Sequence, residues 1–113
     1  MKTVFHVADG AADIQDAAIR YASGIFDDES LETDAVAVVA NASGVELVRT
    51  DSAYAEEIAE LSGGDVEFVA CEKSMAAAGL TEDDILDVVE TAPTSVGELT
   101  RRQENGYRYI KVP

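Results

Sequence analysis

The chain has 113 residues, a length that suits one domain with a single core. Hydrophobic residues make up 47% of it, only two residues are proline and no low-complexity tract occurs, which excludes a disordered or collagen-like chain. The 23 acidic and eight basic residues give a net charge of −15. This charge disfavours binding to nucleic acid or to an anionic membrane, so neither is expected as a partner.

Charge and cysteine content indicate where the protein works. The acidic residues fall in short groups, at 27–29, 56–57 and 82–84, between apolar stretches, which predicts a solvated acidic shell. In about 1 M salt the Debye length falls to roughly 3 Å and repulsion is damped, so the pattern favours a halophile over a generic acidic binding protein. The single cysteine, Cys71, cannot form an internal disulfide, and no signal-peptide or membrane-spanning pattern occurs. We therefore expect a cytoplasmic protein.

Hydrophobic periodicity and turn residues predict the elements of the first half of the chain. An apolar run at residues 3–8 predicts a buried strand, and an apolar stripe after Ala11 predicts a helix. Residues 34–40 predict a second buried strand, whereas residues 44–49 fit neither period. Ser52 can cap a second helix that ends at Gly63.

The second half continues the alternation of strands and helices. The predicted elements are, in order, a strand at 66–71, a short helix at 74–78 ended by Gly79, a capping box opened by Thr81, a strand at 87–91, a helix opened by a capping box at 95–98, and an edge strand at 107–112. Strands joined by helical crossovers predict a three-layer α/β/α sandwich of the flavodoxin-like type, with a mainly parallel five-stranded sheet. One domain would span residues 1–113.

Polar residues follow three of the predicted strands. Asp9 and Gly10 follow the first strand, residues 41–44 follow the second, and Cys71 and Glu72 end the third. Ligands of open α/β sheets bind beyond the carboxyl ends of the strands. We therefore expect Cys71 to be the reactive group of a pocket lined by Asp9, Gly10, Asn41, Gly44 and Glu72.

The state of the Cys71 thiol stays open at this stage. A helix beginning just after it would favour the thiolate, which is the nucleophilic form. Glu72 and the acidic surroundings would oppose ionisation. Alternatively, Cys71 is a small hydrophobic residue that ends a buried strand, since free cysteines are among the most buried residues.

Cofactor and metal chemistry find little support in the sequence. His6, the only histidine, lies in the middle of an apolar strand, where a hydrogen-bonded core histidine is a better interpretation than a catalytic base. One His and one Cys give neither a metal site nor a Ser-His-Asp triad. The turn at residues 8–12 lacks a phosphate-binding glycine pattern, and Asp9 would repel phosphate. We expect no cofactor and no metal.

The last thirteen residues carry an excess of basic side chains, Arg101, Arg102, Arg108 and Lys111, against Glu104 alone. Arg101 and Arg102 would lie at the end of a helix, where cations offset its dipole. The same segment could instead attract an anion or an acidic neighbouring subunit.

Several stretches together resemble the DsrE/DsrF-like family, and the similarity spans essentially the whole chain. They are residues 5–7 (FHV), 39–41 (VAN), 68–72 (FVACE), 78–80 (AGL), 94–99 (TSVGEL) and 106–111 (GYRYIK). The resemblance implies a three-layer α/β domain that assembles as trimers or hexamers and belongs to intracellular sulfur trafficking.

In sulfur-relay members of that family, a cysteine accepts sulfane sulfur as a persulfide and hands it to a partner protein. The matching residue is Cys71. The sequence therefore favours a sulfur carrier or sulfurtransferase whose partners are donor and acceptor proteins. The alternative is a non-catalytic oligomeric binding module in which Cys71 is structural. A nucleotide-binding, flavodoxin-like protein is a third and weaker interpretation.

Overall fold

The structure, a computed structural model, describes all 113 residues. The strands are β1 (Lys2–Val7), β2 (Ala35–Ala40), β3 (Val66–Cys71), β4 (Glu90–Ala92) and β5 (Tyr107–Val112). The helices are α1 (Ala12–Gly24), α2 (Ala55–Ser62), α3 (Glu72–Ala77) and α4 (Ser95–Glu104), with 3₁₀ segments at Ile25–Asp27, Ala42–Val48 and Glu82–Asp84. The sheet order is β4-β3-β2-β1-β5, and every neighbouring pair is parallel. The predicted α/β fold is confirmed, with a sheet that is entirely parallel.

The two faces of the sheet are covered unequally. One face packs against α1, α2, α3 and the segment Ala42–Val48, and encloses a core of 20 buried residues that includes Phe68, Leu47 and Ile58. The other face buries five residues, Val4, Ala37, Val39, Val69 and Ala92, with Leu99 of α4 packed against them. Because α4 is the only helix on this second face, the β1–β5 side of that face stays partly open, and Tyr109 is 42% exposed there.

Two local predictions need correction, and one ambiguity is resolved. The ambiguous residues 44–48 lie in the 3₁₀ segment Ala42–Val48, which buries Val45, Leu47 and Val48, whereas Arg49 follows it and forms an isolated bridge with Ile85. Strand β4 begins at Glu90, whereas the apolar run at 87–91 had predicted an earlier strand; Val88 is instead exposed in the preceding loop. The N-cap of α4 is Thr94, whose Oγ1 accepts a hydrogen bond from the Gly97 N–H at 3.0 Å, so Ser95 does not cap the helix.

Charged side chains stay at the surface. None of the 23 acidic residues is buried, which confirms the solvated acidic shell. The most enclosed ion pair joins Arg102 to Glu98 at 2.7 Å and to Glu67 at 3.1 Å, and it ties α4 to β3. Arg101 also pairs with Glu98, so both helix-end arginines are neutralised within the chain. No helix combines the length and apolar character that crossing a bilayer requires.

The loops after β1 and β2 approach each other closely at Gly44. A Cβ added to Gly44 would overlap the carbonyl oxygen of Val7, and a Cβ added to Gly10 would overlap that of Ser43. The Asn41 N–H donates to the same Val7 carbonyl at 3.0 Å. Glycine at position 44 therefore allows the two strand ends to lie in backbone contact.

We expect Gly44→Ala to lower the free energy of unfolding by about 2–3 kcal/mol, because the backbone must move to relieve the overlap. Gly24→Ala is the matched control. Gly24 ends α1 with no atom near its would-be Cβ, so alanine there should leave stability unchanged or raise it by up to about 1 kcal/mol. Urea unfolding followed by circular dichroism measures both, and equal stabilities would contradict the close-approach argument.

Candidate functional site

The chain passes from β3 into α3 without a loop. Helix α3 begins at Glu72, two residues before the predicted start, so Cys71 is both the last residue of β3 and the N-cap of α3. The first N–H groups of a helix have no partner within it. Those of Lys73 and Ser74 face the Cys71 sulfur.

A second helix, α4, begins close to the Cys71 thiol. Its first residue, Ser95, follows β4, the strand that pairs with β3, and the Ser95 N–H acts on the sulfur. Burial raises the pKa of the Cys71 thiol, which is only 4% exposed. The Ser74 hydroxyl and N–H, with the N–H groups of Ser95 and Lys73, lower that pKa by more. The net pKa lies below the ordinary thiol value, because hydrogen bonds favour the thiolate.

The Ser74 hydroxyl is oriented by a strained backbone position. The Ala42 N–H donates a hydrogen bond to Ser74 Oγ at 2.8 Å. Ala42 has φ +48°, a left-handed conformation that is uncommon for residues other than glycine. Because Ser74 Oγ accepts from Ala42, its own proton is free to be donated to Cys71.

The Glu72 carboxylate is bound on the other side of the sheet. Its Oε2 accepts a hydrogen bond from the Thr91 hydroxyl at 2.8 Å. Thr91 pairs with Ala70, whereas Cys71 pairs with Ala92, so Thr91 and Cys71 project from opposite faces. Glu72 therefore has a hydroxyl partner of its own away from the thiol side of the sheet.

The remaining predicted pocket residues lie along the same sheet edge but have different contacts. Asn41 follows β2, and its Nδ2 donates to Ser95 Oγ at 3.0 Å, which connects it to the start of α4. The Gly10 N–H donates to Ser43 Oγ at 3.0 Å, and Asp9 Oδ1 accepts from the Ala11 N–H. Thus Asn41 is brought to the helix that faces Cys71, while Asp9 and Gly10 are bonded within the loops after β1 and β2.

The histidine lies in the same polar network. His6 Nε2 is 2.9 Å from Asn41 Oδ1, and its Nδ1 is 2.6 Å from the Tyr109 hydroxyl. Both ring nitrogens are therefore hydrogen-bonded, but the ring is half-buried and His6 is not the core histidine that the sequence favours. No group of three or more His, Cys, Asp or Glu side chains is arranged to hold a metal ion.

Sequence reasoning missed Ser74, Ser95 and Tyr109. The alternation of side chains along a strand could have identified Tyr109. Tyr109 pairs with Val4, so it lies on the same face of the sheet as His6. Cys71, three strands away, lies on that face too. The serines carried no such signal. Their contacts depend on the residue at which each helix begins.

The comparisons agree on fold and family. A family model described as the DsrE/DsrF-like family matches residues 2–112. The chain is similar to a solved protein of unknown function, MTH1491, from Methanobacterium thermoautotrophicum, with 32% identity, 97% coverage of each chain and a TM-score of 0.83. A conserved protein of unknown function, BT1422, from Bacteroides thetaiotaomicron, shows 15% identity and a TM-score of 0.70, covering 98% of this chain and 94% of that one, which supports the fold alone. The comparison with curated proteins gave no match.

A match over nearly the whole length, together with a solved structure of the same fold, leaves one assignment. The chain belongs to the DsrE/DsrF-like family.

Proposed function

We propose that this protein is a cytoplasmic sulfur carrier in which Cys71 holds sulfane sulfur as a persulfide and passes it to a partner protein. The observation that carries the proposal is the position of Cys71 at the N-cap of α3 and next to the strand that leads into α4. There the Ser74 hydroxyl and the N–H groups of Lys73, Ser74 and Ser95 lower the pKa of the thiol. These donors favour the thiolate, the form that attacks sulfur. The family is associated with sulfur relay, which adds support.

The transfer is a thiolate exchange without net oxidation. The Cys71 thiolate attacks the outer sulfur of a donor persulfide, the donor's S–S bond breaks, and the donor leaves as a thiolate that takes up a proton. Cys71 then carries the persulfide. An acceptor thiolate attacks its outer sulfur in turn and regenerates the Cys71 thiolate, which the surrounding donors stabilise as the leaving group.

Transfer must be intermolecular, because Cys71 is the only cysteine. An open groove lies between α3 and the segment Ala42–Val48, and its lining includes Ser43, Val45, Lys73, Ser74 and Ala78. Cys71 is not part of this lining, and the groove reaches the thiol through Ser74, which lowers the pKa of Cys71. We assign this groove to the donor and acceptor partners. Asn41 and the loops that carry Asp9, Gly10 and Gly44 would form the surrounding rim, whereas the Glu72 carboxylate is held by Thr91 away from the thiol.

The acidic surface supports a salt-rich cytoplasm as the working environment. Its net charge of −15 comes from side chains that are all outside the core. At low ionic strength these charges repel one another, and salt screens that repulsion. The experiments below are therefore set in about 1 M salt, where the Debye length is roughly 3 Å.

Assembly into a trimer or hexamer is part of the proposal. Strand β5 is an edge strand, and two of its apolar or aromatic side chains, Tyr109 and Ile110, are 42% and 43% exposed. Arg108 and Lys111 of the same strand are exposed and make no ion pair within the chain. An unpaired strand with apolar and basic groups suits contact with the acidic surface of a second copy.

Sulfane-sulfur uptake tests the proposal directly. After exposure to a small persulfide donor, we expect intact-mass spectrometry to show one added sulfur atom that a phosphine reductant removes. Cys71→Ser should gain nothing, because no other thiol is present. A native protein that stays unmodified, and that alkylating reagents reach only after unfolding, would contradict the carrier and favour the binding module with a structural Cys71.

The pH dependence of alkylation tests the thiolate. We expect the Cys71 alkylation rate to rise with pH through an inflection below the ordinary thiol pKa of about 8.5. Ser74→Ala removes a donor to the sulfur, so its inflection should move to higher pH and its rate at pH 7 should fall about threefold, equivalent to roughly half a pKa unit.

Thr100→Ala is the matched control for that experiment. The Thr100 hydroxyl is exposed on α4 and donates only to the Val96 carbonyl, so its loss should leave the profile unchanged. A wild-type inflection at or above the ordinary thiol pKa would rule out thiolate stabilisation by the two helix starts.

Sedimentation velocity in high salt tests the assembly. We expect the wild-type chain to sediment as a trimer or hexamer and Ile110→Asp to shift it towards the monomer, because a carboxylate on β5 is repelled by the acidic surface of a second copy. Val88→Asp changes a similarly exposed apolar side chain beside the opposite edge strand, β4, and should leave the assembly intact. A monomeric wild-type protein would contradict this part of the proposal.

A further inference from the structure

Four polar side chains form a continuous hydrogen-bond chain on the face that α4 covers. Tyr109 of β5 contacts His6 of β1, His6 contacts Asn41 after β2, and Asn41 contacts Ser95 at the start of α4. The three distances are 2.6, 2.9 and 3.0 Å. The chain ends at the start of α4, three residues after Ala92, the partner of Cys71 in β4, and the Ser95 N–H lowers the pKa of the Cys71 thiol.

The donors of this chain have one consistent direction. Asn41 Nδ2 donates to Ser95 Oγ, which leaves Asn41 Oδ1 to accept from His6. His6 Nε2 therefore donates to Asn41 Oδ1, and Nδ1 lies within hydrogen-bond distance of the Tyr109 hydroxyl. Each hydrogen bond thus orients the next side chain towards Cys71.

Ser95 is free to take part because a neighbour caps the helix. Thr94 Oγ1 accepts from the Gly97 N–H, so the Ser95 hydroxyl is not used within α4. Ser95 is 6% exposed, and the only side chain recorded in contact with its hydroxyl is Asn41. The first turn of α4 is therefore tied to the loop after β2 through the Asn41 amide.

Burial alone does not account for His6. Its partner in β2 is Val39 and its neighbours in β1 are Phe5 and Val7, so an apolar residue would suit the strand equally well. The ring is half-buried on the open side of the face and bonds two side chains, although water is within reach there. A side chain that served only to pack against the sheet would not need hydrogen bonds to both Asn41 and Tyr109.

We propose that His6 is a positioning residue that, acting through Asn41, holds the N-terminus of α4 against the Cys71 thiol. The inference rests on the proposed function, because the position of the helix matters only to a thiol that reacts. Without the His6 donor, the Asn41 amide can rotate, Ser95 loses its partner, and the Ser95 N–H moves away from the sulfur.

Two variants of His6 separate positioning from packing. His6→Phe keeps a ring but removes the Nε2–H donor, whereas His6→Gln keeps an N–H that can reach Asn41 Oδ1. Because the chain has one thiol, the ultraviolet absorbance of its thiolate can be titrated directly against a Cys71→Ser blank. Alkylation at pH 7 gives a second readout.

We expect His6→Phe and Asn41→Ala to alkylate about 3- to 10-fold more slowly at pH 7, with thiolate titration displaced to higher pH by the matching roughly 0.5 to 1 unit. His6→Gln should stay within about twofold of wild type, because the donor to Asn41 is retained. Thermal melts show which variants are folded at the assay temperature. If His6→Phe does not fold, the alkylation rate and thiolate titration of Asn41→Ala test the same positioning role.

A folded His6→Phe or Asn41→Ala protein with the wild-type titration curve would overturn the positioning role. That result would leave sulfur uptake by Cys71 untouched. Conversely, a wild-type protein that never accepts sulfane sulfur would overturn the carrier proposal, and with it the purpose of the positioning, even if His6→Phe shifts the thiolate titration as expected.

Discussion

The direct passage from β3 into α3 at Cys71 is the constraint on which the site depends. Since no linker separates strand from helix, the unpaired N–H groups of the first helical turn face the side chain that ends the strand. A linker of even two residues would carry the thiol away from them. The same parallel topology brings the start of α4 to the neighbouring strand end, so the Ser95 N–H also lowers the pKa of the thiol.

Unequal cover of the sheet explains why polar side chains gather on one face. Strand order reverses between β1 and β5, which is where ligands of open α/β sheets usually bind, yet Cys71 lies at the end of β3, two strands away from β1. On the side of α4, His6 and Tyr109 lie at that reversal, and Asn41 bridges from them to Ser95. The hydrogen-bonded polar side chains therefore extend along the sheet edge from the reversal to the start of α4 and are not gathered at the reversal alone.

Much of this fold could be predicted from the sequence, because buried parallel strands are nearly continuous apolar runs. The bounds of β3 and β5 were predicted to the residue, whereas β4 was placed too early because Val88 is apolar but exposed. The position of Cys71 at the sheet edge was also predictable. The contacts of Ser74 and Ser95 were not, since Thr94 and Ser95 are both good capping residues and only packing decides between them.

Burial by itself does not decide between a packing cysteine and a reactive one. A thiol enclosed only by apolar atoms has a raised pKa, because desolvation acts without opposition. At Cys71 desolvation is opposed by hydrogen bonds from Ser74, Ser95 and Lys73, and these are stronger where water is excluded. Ala42 holds an unfavourable left-handed conformation of the kind that costs of order 1 kcal/mol, and its N–H orients one of those donors. The backbone thus holds Ala42 in a strained conformation whose N–H contacts Ser74, one of the residues that lower the pKa of the buried Cys71 thiol.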